Sequence, residues 1–172
     1  AQAAGQGLRR TGVWPQPVAL PDAKLQCDPA AGLAASRLRA LRGERLRIVA
    51  GNGQPVREDP RLLTIELSAQ GRGVGLCQAQ GQALWDSFAL LSGVAPEALA
   101  GSEFIVDRQG WVRARAQAGK GDWSAEDLLC RAGQERTSSP MQQEDPKADG
   151  LDELIRRMES QPVRLRKGGV PH

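Results

Sequence analysis

The segment Gly101–Arg115 constrains the fold more than any other part of the chain, because its pattern predicts a β-hairpin. The apolar run Phe104–Val106 is typical of a buried strand, and Trp111–Arg115 combines aromatic, β-branched and alternating charged residues. Between these runs, Asp107 can accept hydrogen bonds from the backbone, and Gly110 can adopt the positive φ that closes a turn. The fold must therefore contain a sheet in which the two runs are adjacent antiparallel strands.

Two further runs, Leu46–Ala50 and Leu62–Leu67, predict strands of the same sheet, and Val18–Leu20 predicts a short edge strand. The link between the first two holds two prolines and is too short for a full crossover helix. These two strands are therefore expected either to form an antiparallel pair or to be joined by an irregular loop.

Apolar spacing and end signals predict three helices, over residues 29–41, 80–92 and 124–131. Asp28 is a suitable cap for the first helix, and Ser124 opens a capping box for the third. The alternation of strands and helices favours the α/β class, with α+β as the alternative.

The predicted hairpin resembles the last hairpin of thioredoxin-like and peroxiredoxin-like domains, in which a strand ending in Val-Asp is followed by a two-residue tip, a glycine, an aromatic residue and a second strand. The helices on either side of it resemble the α-β-β-α ending of that fold. More narrowly, the chain from Leu76 to Trp123 is similar to the soluble segment fused to some copper-resistance D-type membrane proteins. This resemblance implies a thioredoxin-like sheet with a C-terminal β-hairpin and flanking helices. It also implies an exported, periplasmic domain that is associated with copper resistance.

The chain departs from the thioredoxin pattern at the two places where that family carries its reactive groups. The family's reactive turn follows the first central strand, whereas Gly51–Arg61 contains no cysteine. The family's cis-proline precedes the first hairpin strand, where this chain has Gly101 and Ser102. We therefore expect a sheet that is degenerate at the active-site helix.

Three cysteines, Cys27, Cys77 and Cys130, allow at most one internal disulfide. The stretch from Cys27 to Ala30 resembles the thioredoxin redox motif, with alanine in place of the second cysteine, and the N-terminus of a helix there would favour a reactive thiolate. Cys27 and Cys77 are thus the candidate catalytic thiols of a monothiol redox enzyme. Alternatively, they are structural or disulfide-bonded cysteines.

Composition excludes several other classes of function. The net charge is only +3 and both signs are interleaved, which argues against nucleic-acid binding. No stretch approaches the roughly 20 apolar residues of a membrane span, so we expect no membrane insertion by this chain. The one histidine is His172, and Gly71–Gly75 lacks the lysine of a phosphate-binding loop, so no metal, cofactor or hydrolase site is predicted.

The predicted organisation has four parts: an extended segment over residues 1–22, a thioredoxin-like domain over 23–133, a flexible linker over 134–149, and an amphipathic helix with a basic tail over 150–172. The sequence does not begin with methionine, which fits a mature processed protein or an excised domain. Trp111 and Trp123 are expected to pack near each other and close the core.

Taken together, the sequence favours a non-catalytic thioredoxin-like domain, exported and associated with copper handling, that acts by binding a protein partner, for which a membrane-embedded protein is one candidate. The alternative interpretation is a monothiol thioredoxin-like or peroxiredoxin-like redox enzyme that uses Cys27 or Cys77.

Overall fold

The structure is a computed structural model that describes residues 16–71, 73–119, 121–129 and 149–163. Its strands are β1 (Val18–Ala19), β2 (Leu25–Cys27), β3 (Leu46–Ala50), β4 (Leu63–Ser68), β5 (Cys77–Gln80), β6 (Glu103–Val106) and β7 (Trp111–Ala116). The α-helices are α1 (Gln82–Ser92) and α2 (Gly150–Ser160), and short 3₁₀ turns occur at Pro29–Ala31, Leu38–Leu41, Pro96–Ala98 and Ala125–Asp127.

The strands form one mixed sheet in the order β1-β7-β6-β3-β4-β5-β2. β4 lies parallel to both β3 and β5, and the remaining neighbours are antiparallel. The hairpin forms as predicted, because Phe104 lies opposite Arg115 and Ile105 opposite Ala114, with a bulge after Ile105. The predicted α/β class is therefore confirmed.

The connection from β3 to β4, residues 51–62, contains no helix. The loop nevertheless brings the chain back to the end of the sheet at which β3 begins. Leu46 therefore pairs with Leu63, and Ala50 with Leu67, in parallel register. Parallel neighbours need a connection of about a dozen residues, and this loop is just long enough. The expected irregular loop is thus present, and the antiparallel alternative is wrong.

Both faces of the sheet are covered, since successive side chains of a strand point to opposite faces. On one face, Ile48 and Phe104 belong to a core that includes Phe88 of α1, whose ring centre is 4.8 Å from that of Phe104. On the other face, Ile105 of β6 packs with Leu154 of α2. The sheet therefore has a separate hydrophobic core on each side.

Helix α2 is the element that closes the second core. Its buried apolar stripe consists of Leu151, Leu154, Ile155 and Met158, as expected of the predicted amphipathic helix. The Asp149 side chain caps the helix by accepting a hydrogen bond from the backbone N–H of Asp152 at 2.8 Å. The helix thus packs onto the sheet as a docking helix.

Two of the predicted helices are wrong within the described residues. Over 29–41 the chain forms only two 3₁₀ turns, because Gly32 adopts a left-handed φ of 70° and the backbone of Leu38 donates to the carbonyl of Ala23 at 2.9 Å. The capping box at Ser124 does form, but the helix it opens is a single 3₁₀ turn. Beyond that turn the chain becomes extended, and Leu129 N–H donates to the Arg113 carbonyl at 2.6 Å.

Several smaller expectations have mixed outcomes. Helix α1 ends at Gly93, as its sequence signal indicates, and the edge strand near Val18 is present. Trp111 and Trp123 are each half-buried rather than enclosed in the core. Trp123 packs on the second core beside α2, whereas Trp111 lies opposite Ala19 at the start of β7.

Arg61 ties the loop before β4 to the start of α2. Its guanidinium contacts Asp59 at 2.7 Å, and both Asp149 and Asp152 at 2.8 Å. The hydrogen bond from Arg61 lowers the pKa of Asp59 from 3.8 to about 2, and it also lowers the pKa of Asp149. Arg61 therefore holds α2 on the sheet by ion pairs, and the apolar stripe of α2 holds it by hydrophobic packing.

The second core predicts that Leu154→Ala is strongly destabilising. Leu154 is fully buried, so its truncation should lower the free energy of unfolding by about 2–5 kcal/mol in urea denaturation. Leu90→Ala is the matched control, because Leu90 is 78% exposed on α1 and should change stability by less than about 0.5 kcal/mol. Equal effects of the two changes would show that α2 is not docked on the sheet.

The Arg61 contacts predict a pH dependence of stability. Because the folded state holds the pKa of Asp59 below its ordinary value of 3.8, the stability that this carboxylate contributes is present above about pH 4 and is lost as the pH falls towards 2. Arg61→Gln should therefore give a shallower fall of unfolding free energy over this range. Arg57→Gln makes the same charge change at an exposed side chain and should keep the wild-type slope. Identical slopes for all three proteins would contradict the assignment.

Candidate functional site

The two candidate thiols, Cys27 and Cys77, are joined to each other in a disulfide. Cys27 ends β2 and Cys77 begins β5, and the antiparallel register places them directly opposite, with their Cα atoms 4.0 Å apart. Cys77 is buried, and Cys27 is half-buried. The helix N-terminus that would have activated Cys27 is only a three-residue 3₁₀ turn. Cys130 lies outside the described residues.

The disulfide fastens the outermost strand of the sheet. β2 has only three residues, so its ladder provides few hydrogen bonds, although Asp28 N–H adds one to the Leu76 carbonyl at 2.7 Å. The covalent bond spans 50 residues of sequence, and closing so long a loop removes much of the freedom of the unfolded chain. The bond therefore joins the N-terminal part of the chain to the sheet.

A glycine-rich loop leads into Cys77, and buried polar side chains hold it against the sheet. Gln78 accepts from Gly73 N–H at 2.9 Å and donates to the Gly75 carbonyl at 3.2 Å. Glu66 accepts from Gly75 N–H at 2.6 Å. Two apolar side chains near the end of this loop, Val74 and Leu76, are exposed.

Glu66 is the least expected residue of this region, because its side chain is 98% buried in the middle of β4. It lies beside Gln78 of β5, on the face opposite the first core. Three glycines surround the carboxylate, and a Cβ atom at Gly51 would lie 2.6 Å from Oε2, one at Gly75 would lie 3.1 Å from Oε1, and one at Gly73 would overlap the carboxylate. The glycines are therefore required for space, since any larger residue would collide with the carboxylate.

Glu66 borders a cavity of about 400 Å³ at the ends of β3 and β4. The other lining residues are Gly51, Gly53, Ser68, Ala69, Gln70, Gly73, Val74 and Trp85. Crevices at the carboxyl ends of parallel strands are common ligand-binding places in α/β sheets. The cavity therefore combines a favourable position in the fold with a buried charged group.

A second cavity, of about 530 Å³, lies beside the start of α2. It is lined by charged side chains, and two of its arginines, Arg47 and Arg61, are already paired with acidic side chains. Arg47 donates to Glu103 at 2.7 Å, and Arg61 holds the three aspartates described above. The Arg61 contacts serve the packing of α2 on the sheet, and the Arg47–Glu103 pair joins β3 to β6.

The comparisons with known proteins add no relative. No protein-family model, curated protein or solved structure matches the chain. In the part of the chain that the structure describes, no group of three or more His, Cys, Asp or Glu side chains is placed to hold a metal ion. Neither described α-helix is long and apolar enough to cross a membrane.

The sequence indicated Cys27 and Cys77 as candidate thiols and left a disulfide open without predicting its pairing, and Glu66 and its surroundings were missed. The available signals were a glutamate within the otherwise apolar run Leu62–Leu67, and the glycines at 51, 73 and 75. The three glycines come close to Glu66 only when the parallel sheet forms, so they are not recognisable as a group in the sequence. The glycine-rich loop was therefore compared only with phosphate-binding motifs. The arrangement is an anionic pocket, which is the opposite of a phosphate site.

The disulfide predicts a specific loss of stability on reduction. Breaking a native disulfide that closes a loop of this length should lower the free energy of unfolding by about 2–4 kcal/mol, as measured by urea denaturation with and without dithiothreitol. The control is the double variant Cys27→Ser, Cys77→Ser, which should be less stable than the wild type and insensitive to dithiothreitol. A wild-type protein that is equally stable in both conditions would contradict the bond.

Proposed function

We propose that this chain is a non-catalytic, thioredoxin-like domain that is exported and acts by binding a protein partner. The observation that carries the proposal is the Cys27–Cys77 disulfide, because it occupies both candidate thiols in a bond within the sheet. Dithiol exchange of the thioredoxin kind needs two cysteines held close together beside a helix, and the half-buried Cys27 is instead part of an edge-strand crosslink.

The arrangement of elements supports the thioredoxin-like part of the proposal. The chain order α1, β6, β7 matches the helix and hairpin of the ending that the resemblance implies, but the helix that follows the hairpin is α2 at Gly150–Ser160 and not the expected helix over residues 124–131. The loop of residues 51–62 stands where the family carries its active-site helix, after the first central strand. A sheet that keeps the hairpin but lacks that helix is what a degenerate, non-catalytic member would have.

Export is supported by the disulfide itself, since stable disulfides form in oxidising compartments such as the periplasm. The association with copper handling rests on the resemblance of Leu76–Trp123 to the soluble segment of copper-resistance D-type proteins, and we propose a membrane-embedded protein as the partner on the same ground. The exposed apolar side chains Val74 and Leu76, on the loop that the disulfide anchors, are suited to contact such a partner.

The alternative of a monothiol redox enzyme has one favourable observation, which is that Cys27 is half-buried and thus accessible in part. For that activity the disulfide would first have to be reduced by an external dithiol, which would itself be oxidised to its disulfide and leave two free thiols on the chain. Catalysis would then depend on the reduced protein.

The direct test is to assay insulin reduction and peroxide consumption by the wild-type protein in the presence of dithiothreitol. We expect rates no higher than those of dithiothreitol alone, and the same result for Cys27→Ser. Turnover that disappears in Cys27→Ser would overturn the proposal in favour of the redox enzyme.

For the interaction itself, a photo-crosslinking residue at Val74 should give one discrete adduct in source cells, whereas one at the exposed Glu44 should not.

A further inference from the structure

We propose that the cavity beside Glu66 binds the primary ammonium group of an aliphatic amine. This proposal is independent of the one above, because it concerns the carboxylate beneath the glycine loop and not the cysteines. It follows from a buried carboxylate, the absence of a cation paired with it among the described residues, and a cavity of suitable size in contact with it.

The first step of the argument is the charge of the pocket. Glu66 is 2% exposed, and its one hydrogen-bond donor among the described residues is Gly75 N–H, at 2.6 Å from Oε1. No described arginine or lysine lies within ion-pair distance of this carboxylate, although eight arginines pair with acidic groups elsewhere in the described chain. Buried carboxylates are usually paired, because an unpaired charge is costly to remove from water.

The second step is that the carboxylate borders the cavity although the backbone of the glycine loop covers it. Glu66 lines the cavity, and Oε2 lies where Gly51 and Gly73 leave room for it. The loop that covers the carboxylate is fixed by the two hydrogen bonds of Gln78. The sequence thus has glycine at each position where a side chain would block the carboxylate.

The third step is the chemistry of the lining. Ser68 offers a further oxygen acceptor, and Trp85 of α1 also lines the cavity. An ammonium group has three N–H donors, so two side-chain oxygen acceptors that border one cavity suit it. A cavity of about 400 Å³ is large enough for a short unbranched chain carrying that group.

The experiment is a calorimetric titration of the whole protein with butane-1,4-diamine at neutral pH and constant ionic strength in potassium chloride. Butane-1,4-diol is the uncharged ligand of the same length. We expect binding of the diamine and none of the diol, a comparison that needs no variant. Equal heats for the two ligands, or no binding of the diamine up to tens of millimolar, would overturn the proposal.

Glu66→Gln keeps the shape of the side chain and removes its charge, so it should weaken diamine binding by about 10- to 100-fold. Glu97→Gln, at an exposed position, should leave the affinity unchanged, and thermal melting would show whether both variants fold. An unchanged affinity in a folded Glu66→Gln would contradict the assignment of the site.

One further ligand and one variant settle the source of the ammonium group. Nα-acetyl-lysine methylamide presents the same group as a protein side chain, so tighter binding of this compound than of the diamine would identify a partner's lysine, and the reverse would identify a free amine. Arg72 is part of the loop in sequence, between Gly71 and Gly73, and lies outside the described residues. If the diamine bound only to Arg72→Ala, the chain's own guanidinium would be the occupant, and the proposal would be wrong.

Discussion

The parallel pairing of β3 with β4 at the centre of the sheet is the constraint on which the other elements depend. A pair in this position is shielded by neighbouring strands on both sides and must be covered on both faces. Helix α1 follows β5 directly and covers one face, whereas the opposite face is covered by α2, which comes from far along the chain. The burial of Leu154 and the contacts of Arg61 are consequences of that second requirement.

On the face of the sheet that α2 covers, the part formed by β4 and β5 is covered by a loop and not by the helix. The candidate sites lie in this part of the protein. Beyond the reach of the α2 core, β4 and β5 present Glu66 and Gln78, and a glycine loop covers them with hydrogen bonds instead of apolar contacts. The Cys27–Cys77 disulfide then fixes the strand at which this loop ends. This side of the sheet thus carries a covalent crosslink, a glycine loop with two exposed apolar side chains and a buried carboxylate.

The sequence predicted the elements whose signals are local. The hairpin strands, α1 and the apolar stripe of α2 were all recognised, because each has the periodicity of its own secondary structure and a clear end signal, such as Gly93. The strands β2 and β5 were missed, since Leu25–Cys27 is very short and Cys77–Gln80 contains no β-branched or aromatic residue. Their pairing and their disulfide join residues 50 positions apart, which periodicity does not detect.

The difference between local signals and long-range pairings also explains the wrongly predicted helices and the missed pocket. Residues 29–41 have helical spacing and a real cap at Asp28, but backbone bonds to the distant Ala23 and Leu25 replace the helix. The parallel pairings of β4 are also long-range properties: β3 brings Gly51 to Glu66, and Gln78 of β5 holds Gly73 over it. The fold class was therefore predictable from the sequence, whereas the arrangement of the site depended on pairings between distant segments.

The measurement that tests the central claim most directly is a peptide map of the protein, alkylated in acid and digested without reduction. The account predicts one disulfide-linked pair of peptides, containing Cys27 and Cys77, and alkylated Cys130. A link to Cys130, or alkylation of Cys27 in the folded protein, would contradict both the fastening of β2 and the proposal that the candidate thiols are structural.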